Sequence, residues 1–502
     1  MRLFKLLKPD YVASFLLAIF LLAIFWRGAT FIDPDFGWHL KTGELIVKSG
    51  IPASDPFSYT MPGFPYVDHS WATDVFMGAS YPYIGMVGLS FVFSLLFVTT
   101  IFILWRISKT ENLRWYLTFT PIFLTIGVLG RYFLVRPQVL SWLFASCLFF
   151  VLSSKTRWTK YKFFLPILFL LWVNSHGGFV LGLGILGAFG FTRLWETKKV
   201  DWNFIIIFLV ATATSFINPY GTGLWREVGA TIFSGELRTR IVEWMPAFLH
   251  LDLSFVMVIA LWAVLLISYK KHFTFYEKVV STLLLVSALA SVKQVPFWVL
   301  FSAPLVTRGL FYLTKEAKSY KKGVERAVAF LNILCLLSLT LASLGLYLST
   351  RQKLTEDAFY PKKAVGYLIN NASPGEIFSE YGWGGYLIWK YPEKKVFIDG
   401  RMAIWKQEEK PGNLTNSFAT YTQAVAVDGD IEGIFNRFNI DTVLWPVAKP
   451  PSIITKISEV VIKKLGLNSG DGGQTRSEKL QALGFQKVYA DDVAEVYRRS
   501  LQ

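Results

Sequence analysis

Asp33 and Asp35, in Asp33-Pro34-Asp35-Phe36-Gly37-Trp38-His39, stand directly after the first long apolar run, and Asp68 follows in Asp68-His69-Ser70-Trp71. Carboxylates at this spacing have two chemical uses. Asp33 and Asp35 could ligate a divalent cation of the Mg or Mn type, which prefers oxygen donors. Alternatively, Asp33, Asp35 or Asp68 could serve as the general base that takes a proton from an acceptor hydroxyl. The plainer role is an acidic helix cap, since Asp before a helix satisfies free backbone N–H groups. Arg131, Arg136, His176 and Lys293 bring the complementary chemistry, because cations stabilise charge developing on a leaving phosphate oxygen. His39, His69 and Glu243 are further candidates on the same face. Arg131 and Arg136 also suit simple snorkelling at an interface, and His176, in Asn174-Ser175-His176-Gly177-Gly178, suits a tight turn.

The elements that must position these groups lie in a bilayer. A 502-residue chain that is 53% hydrophobic and 17% aromatic is too apolar for an ordinary soluble protein. Apolar runs near 11–29, 84–105, 115–130, 138–153, 161–175, 178–195, 204–217, 253–269, 279–292, 296–313 and 327–349 make a polytopic α-helical membrane protein of about eleven spans. The first run continues into Trp26-Arg27 without a small-residue cleavage site, which reads as a retained span.

Basic residues alternate between loops as topology demands. Arg2, Lys5 and Lys8, then Arg106, Lys109 and Arg114, then Lys155, Arg157, Lys160 and Lys162, and later Lys270, Lys271 and Lys278 mark the cytoplasmic side. This places the N-terminus in the cytoplasm of a multi-pass cell-membrane protein and residues 350–502 outside. Four of the five histidines (His39, His69, His176 and His250) then fall at the outer surface with the candidate acids and cations. The net charge of +16 sits almost wholly before residue 350, where topology accounts for it, so a nucleic-acid partner is not implied. Both cysteines, Cys147 and Cys335, lie in apolar runs, which excludes a disulfide-stapled or cysteine–zinc outer domain.

Two domains follow. Residues 1–349 form the transmembrane domain, with an outer loop at 30–83 that carries short helices over Leu40–Ser49 and Ser70–Tyr81. From 350 the long apolar runs end and charge becomes balanced. Residues 350–502 alternate short strands (Glu376–Ser379, Lys395–Ile398, Thr442–Trp445, Lys487–Tyr489, Ala494–Tyr497) with helices (Pro361–Asn371, Gly384–Tyr391, and near 414–425, 430–437, 452–465 and 476–483), the pattern of a mixed α/β soluble domain. Leu467–Thr475 reads as a glycine-rich loop.

Ile32-Asp33-Pro34-Asp35-Phe36 resembles the Asp-Pro-x-Phe start of the first outer loop in the oligosaccharyltransferase catalytic subunit. The whole layout resembles the GT-C superfamily of membrane glycosyltransferases, which includes the protein O-mannosyltransferases and the aminoarabinose transferase of lipid A. Asp55-Pro56-Phe57-Ser58-Tyr59, Asp68-His69-Ser70-Trp71, Tyr381-Gly382-Trp383-Gly384-Gly385-Tyr386 and Asp399-Gly400-Arg401 look like a bacterial branch of that superfamily. The resemblance implies a sugar donor linked to polyprenyl phosphate, an acceptor glycan, lipid or protein reached from outside the membrane, and inversion at the sugar carbon. Asp33 matches the acidic position and Asp35 would supply a second acid. No counterpart of the Trp-Trp-Asp acceptor-recognition motif is present, which argues against peptide glycosylation.

Two other classes compete. A lipid or solute transporter would keep ionisable groups near the bilayer midplane and show inverted repeats, and the chain shows neither. A non-catalytic scaffold for envelope polysaccharide assembly would share the layout and would need to retain no lipid-linked sugar.

Overall fold

The computed structural model describes residues 9–108, 120–249, 253–316, 355–410, 413–426, 429–447 and 476–499, with single positions between 330 and 341. Apart from those single positions, the apolar run at 327–349 lies outside the described residues, as do the expected helix at 452–465 and the loop Leu467–Thr475. Contacts group the chain into two compact units: Met1–Asp33, Thr42–Lys48 and Val67–Gln352 in the first, and Pro34–Lys41, Ser49–Tyr66 and Lys353–Gln502 in the second. Two stretches of the outer loop therefore group with the C-terminal residues, a partition that neither hydropathy nor charge announces.

The first unit is helical. Trp71–Ser108, Phe179–Thr197 and Val292–Leu313 are each long and apolar enough to cross a membrane. Gln138–Leu152 and Lys155–Ser175 make a further pair bent by 114°, and Ala18–Thr30, Trp202–Thr214 and Phe255–Ser268 are shorter apolar helices. By length, then, the described residues hold three or four spanning helices against the eleven apolar runs. At the bend, the Ser154 side chain accepts from the Arg157 N–H and starts a new helix. Large apolar side chains such as Leu22, Phe91, Ile167, Leu209 and Ile267 face outward uncovered. Such a surface belongs in lipid.

Outer-loop helices also differ from expectation in extent. The one expected at Leu40–Ser49 runs over Phe36–Ser49. The one expected at Ser70–Tyr81 is the start of Trp71–Ser108, which breaks at Gly85 (φ 58°) three residues after Pro82. That backbone conformation suits glycine. Pro9–Thr30 lies against Trp71–Ser108, where Ser90 donates to the Phe25 carbonyl at 2.7 Å. A Cβ on Gly28 would come within 2.4 Å of the Ser90 hydroxyl oxygen, so glycine permits the approach.

The second unit contains a four-stranded mixed sheet and a two-stranded one. Its strands are β1 (Glu376–Ser379), β2 (Gln407–Lys410), β3 (Asn413–Thr415), β4 (Ile440–Pro446), β5 (Phe485–Ala490) and β6 (Ala494–Arg499). The larger sheet has the order β1-β4-β6-β5, with β1 and β4 parallel and the other neighbours antiparallel; β2 pairs with β3. Residues 395–398, expected as a strand, do not join either sheet. Their backbone is taken by the outer-loop segment instead: Val396 N–H donates to the Phe57 carbonyl at 2.9 Å, and Tyr59 N–H donates to the Val396 carbonyl at 3.2 Å.

Arg401 anchors the same segment. Its guanidinium donates to both Asp399 oxygens (2.8 and 2.6 Å) and to Asp55 at 2.8 Å. Trp38, Phe57, Tyr66 and Trp405 surround it at 5.0–5.9 Å. Burial alone would lower the Arg401 pKa, and the two carboxylates overcome that and raise it. The glycines of the Trp383-Gly384-Gly385 motif permit close approach of backbone. A Cβ on Gly385 would lie 2.2 Å from the Pro34 carbonyl oxygen, and one on Gly37 would lie 1.9 Å from the Gly385 carbonyl oxygen.

Candidate active site

Six of the candidate residues gather in the first unit: Asp33, His69, Arg136, His176, Glu243 and Lys293. Asp33 follows the helix Pro9–Thr30, and Arg136 sits in the turn before Gln138–Leu152. That turn is fixed by Arg27, a buried guanidinium near the end of the first helix, which donates to the carbonyls of Phe133 and Arg131 at 2.7 Å each. Arg136 Nη1 lies 3.1 Å from Asp33 Oδ2 and 2.8 Å from Glu243 Oε1, while Nη2 lies 3.4 Å from Glu243 Oε2. Asp33 is fully enclosed and the Arg136 side chain is only 11% exposed, whereas Glu243 keeps 47% of its side-chain surface open.

Lys293 reaches the cluster through the backbone, its N–H donating to the Glu243 carbonyl at 2.8 Å, and its ammonium lies 4.7 Å from the Trp244 ring centre. Burial raises the Glu243 carboxyl, but the Arg136 and Lys293 charges outweigh it and hold the pKa down at about 2. With half its side-chain surface open, those flanking charges rather than burial set its state.

The two histidines form the other half of the cluster, with ring centres 5.6 Å apart and nearly perpendicular. They are held together by the residues beside them. Trp71 Nε1–H donates to Asn174 at 2.9 Å, and the Thr73 hydroxyl donates to the Ser175 carbonyl at 2.7 Å. Burial, followed by the charges of Lys293 and Arg136, lowers the His69 pKa to about 4. Burial, His69, Lys293 and Arg136 put His176 well below its usual value. Both rings are neutral near pH 7, so they contribute hydrogen bonds and not charge. The His176 turn needs glycine at 178, since a Cβ there would sit 2.5 Å from the Ser141 oxygen.

Of the remaining candidates, Asp68 and Arg131 belong to the first unit too, and each has contacts of its own. Asp35 belongs to the second unit, where it accepts from Trp38 Nε1–H at 3.0 Å and leaves no room for a Cβ on Gly400. His39, in the same unit, stacks on Trp38. Asp68 accepts from the Ser70 N–H and hydroxyl at 2.9 and 3.0 Å, ahead of the helix Trp71–Ser108. Arg131 donates to the Tyr132 hydroxyl and lies over that ring. Three residues that build the site carry no signal of their own in the sequence: Ser141 and Trp172 are isolated within apolar runs, and Arg27 reads as a span end.

The donor set does not fit a metal ion well. Asp33 is engaged by Arg136, and among the described residues no three His, Cys, Asp or Glu side chains group closely enough to hold a metal ion.

The oligosaccharyltransferase of Archaeoglobus fulgidus in its apo form is similar to this chain with a TM-score of 0.59 and 13% identity, over 87% of this chain and 70% of that one. The same enzyme tethered to an acceptor peptide containing the NVT sequon gives 0.60 and 12%, over 87% and 69%. ArnT from Cupriavidus metallidurans bound to undecaprenyl phosphate gives 0.50 and 12%, over 99% and 100%. The chain has the GT-C fold. No protein-family profile matches the sequence, and no curated protein matches it. The GT-C likeness at this identity is one of architecture. Within that GT-C architecture the cluster at Arg136 is built from this chain's own residues.

Proposed function

We propose that this chain is a membrane glycosyltransferase that moves a sugar from a polyprenyl-phosphate-linked donor to an acceptor on the extracytoplasmic face, with about eleven spans and a cytoplasmic N-terminus. The observation that carries this reading is the buried Asp33–Arg136 pair, flanked by Glu243, Lys293 and two neutral histidines within one unit of GT-C fold. An acid beside a cation pair is the set that transfer from a phosphate-linked sugar requires. Undecaprenyl phosphate in the ArnT structure supports a donor of this class, and the tethered peptide in the archaeal enzyme supports an acceptor site in such folds.

In this mechanism the acceptor oxygen bonds to the anomeric carbon as the bond from that carbon to the phosphate oxygen breaks. Asp33 takes the acceptor proton. Charge released on the polyprenyl phosphate falls to Arg136 and Lys293, with His176 as a neutral donor. Attack opposite the leaving phosphate inverts the sugar carbon. Asp35 and Asp68 act in this reading through the elements they hold, the first through Trp38 and the second through the start of Trp71–Ser108. The test is transfer from lipid-linked sugars by Asp33→Asn and Arg136→Ala. Full activity in both variants removes the mechanism.

A further inference from the structure

Arg136 holds two carboxylates that differ in one decisive respect. Asp33 is enclosed, so separating it from Arg136 would strand a buried charge. Glu243 is about half open to solvent, and exposed ion pairs contribute little to stability. Of the two, Glu243 leaves the guanidinium at the lower cost. Its two oxygens face the two terminal nitrogens of Arg136 at 2.8 and 3.4 Å, the forked arrangement in which arginine also takes phosphate.

The charges point the same way. Arg136 and Lys293 are matched by Asp33 and Glu243, and the histidines are neutral near pH 7. With Glu243 in place, an arriving phosphate meets a balanced cluster. With Glu243 turned away, it meets a net cation. The backbone need not move in that turn, because the Glu243 carbonyl is held by the Lys293 N–H at 2.8 Å and the Ser291 hydroxyl at 3.3 Å, bonds that do not involve the half-open carboxylate.

We propose that Glu243 stands in for the donor phosphate on Arg136 and that the incoming phosphate displaces it; this rests on the glycosyltransferase reading above. Glu243 is then a built-in competitor, keeping Arg136 neutralised until a phosphate-headed lipid takes the fork.

The experiment measures binding of undecaprenyl phosphate in detergent, and separately of inorganic phosphate, to the full-length protein and to Glu243→Gln, Glu243→Ala and Arg136→Ala. Thermal melts establish that each variant is folded. Both Glu243 variants should bind undecaprenyl phosphate more tightly, by about three- to tenfold, and Arg136→Ala should bind it more weakly. Unchanged or weaker binding by both folded Glu243 variants overturns the proposal. If inorganic phosphate shows the gain and the lipid binds to no form, displacement stands and the lipid-donor reading fails. If neither anion binds to any form, both fail.

Discussion

The Ser141 hydroxyl donates to His176 Nδ1 across 2.7 Å, since that nitrogen also takes the Gly178 N–H and so carries no proton, and the same hydroxyl oxygen accepts the indole N–H of Trp172 at 2.7 Å. A serine has one proton to give. The Gly178 N–H also points to Nδ1, at 3.2 Å, so His176 carries its own proton on Nε2. Ser141→Ala should cost about 1–3 kcal/mol by stranding the buried Trp172 N–H, and it should let the imidazole sample both tautomers. Nitrogen-15 chemical shifts of His176 report the second effect, and shifts identical to wild type would contradict the bond.

Asp33→Asn should lower sugar transfer by about 10²–10⁴-fold, the range for loss of a positioned general base. Arg136 keeps Glu243 as its partner in that variant, so the melting temperature should move little. Assay with a labelled lipid-linked sugar separates the two effects: a large stability loss with proportionate activity loss would assign Asp33 to structure alone.

His69 sets a pH dependence. Its folded pKa of about 4 lies below the ordinary 6.5, so between these values the unfolded chain binds a proton that the folded chain refuses. Stability is therefore fully present above about 6.5 and is lost as pH falls toward about 4. His176 adds in the same direction. Melts of the detergent-solubilised protein across this window should show the decline, and His69→Gln should flatten it.

Arg401→Met should destabilise the second unit by about 3–5 kcal/mol, since it leaves the buried carboxylates of Asp55 and Asp399 without their cation. Limited proteolysis should then cleave near Asp55 and near Asp399 at lower temperature than in wild type. Retention of wild-type resistance would show that the pair is replaceable.

Much of the architecture is legible locally. The helices Lys362–Asn370 and Ile431–Arg437 and the strands β1, β4, β5 and β6 fall on segments whose periodicity marks them. Residues 395–398 mislead because strand-like composition records burial, not the partner, and the partner here is the loop around Phe57. Among candidate site residues, Arg131 and Arg136 look alike in sequence. What separates them is contact: Arg131 turns to Tyr132, while Arg136 meets Asp33 and Glu243.

Read alone, the residues determined the apolar helical body, the change of composition near 350 and the gathering of acids, cations and histidines on one predicted face, because hydropathy and charge act over a turn or a loop. Tertiary structure decided which of those groups meet. Arg136 and Glu243 are 107 positions apart, and Ser141 and His176 are 35 apart. Asp33 and Asp35, two positions apart, belong to different units. Such pairings depend on how helices stack and which buried charge finds a partner, and no local period in the chain encodes that.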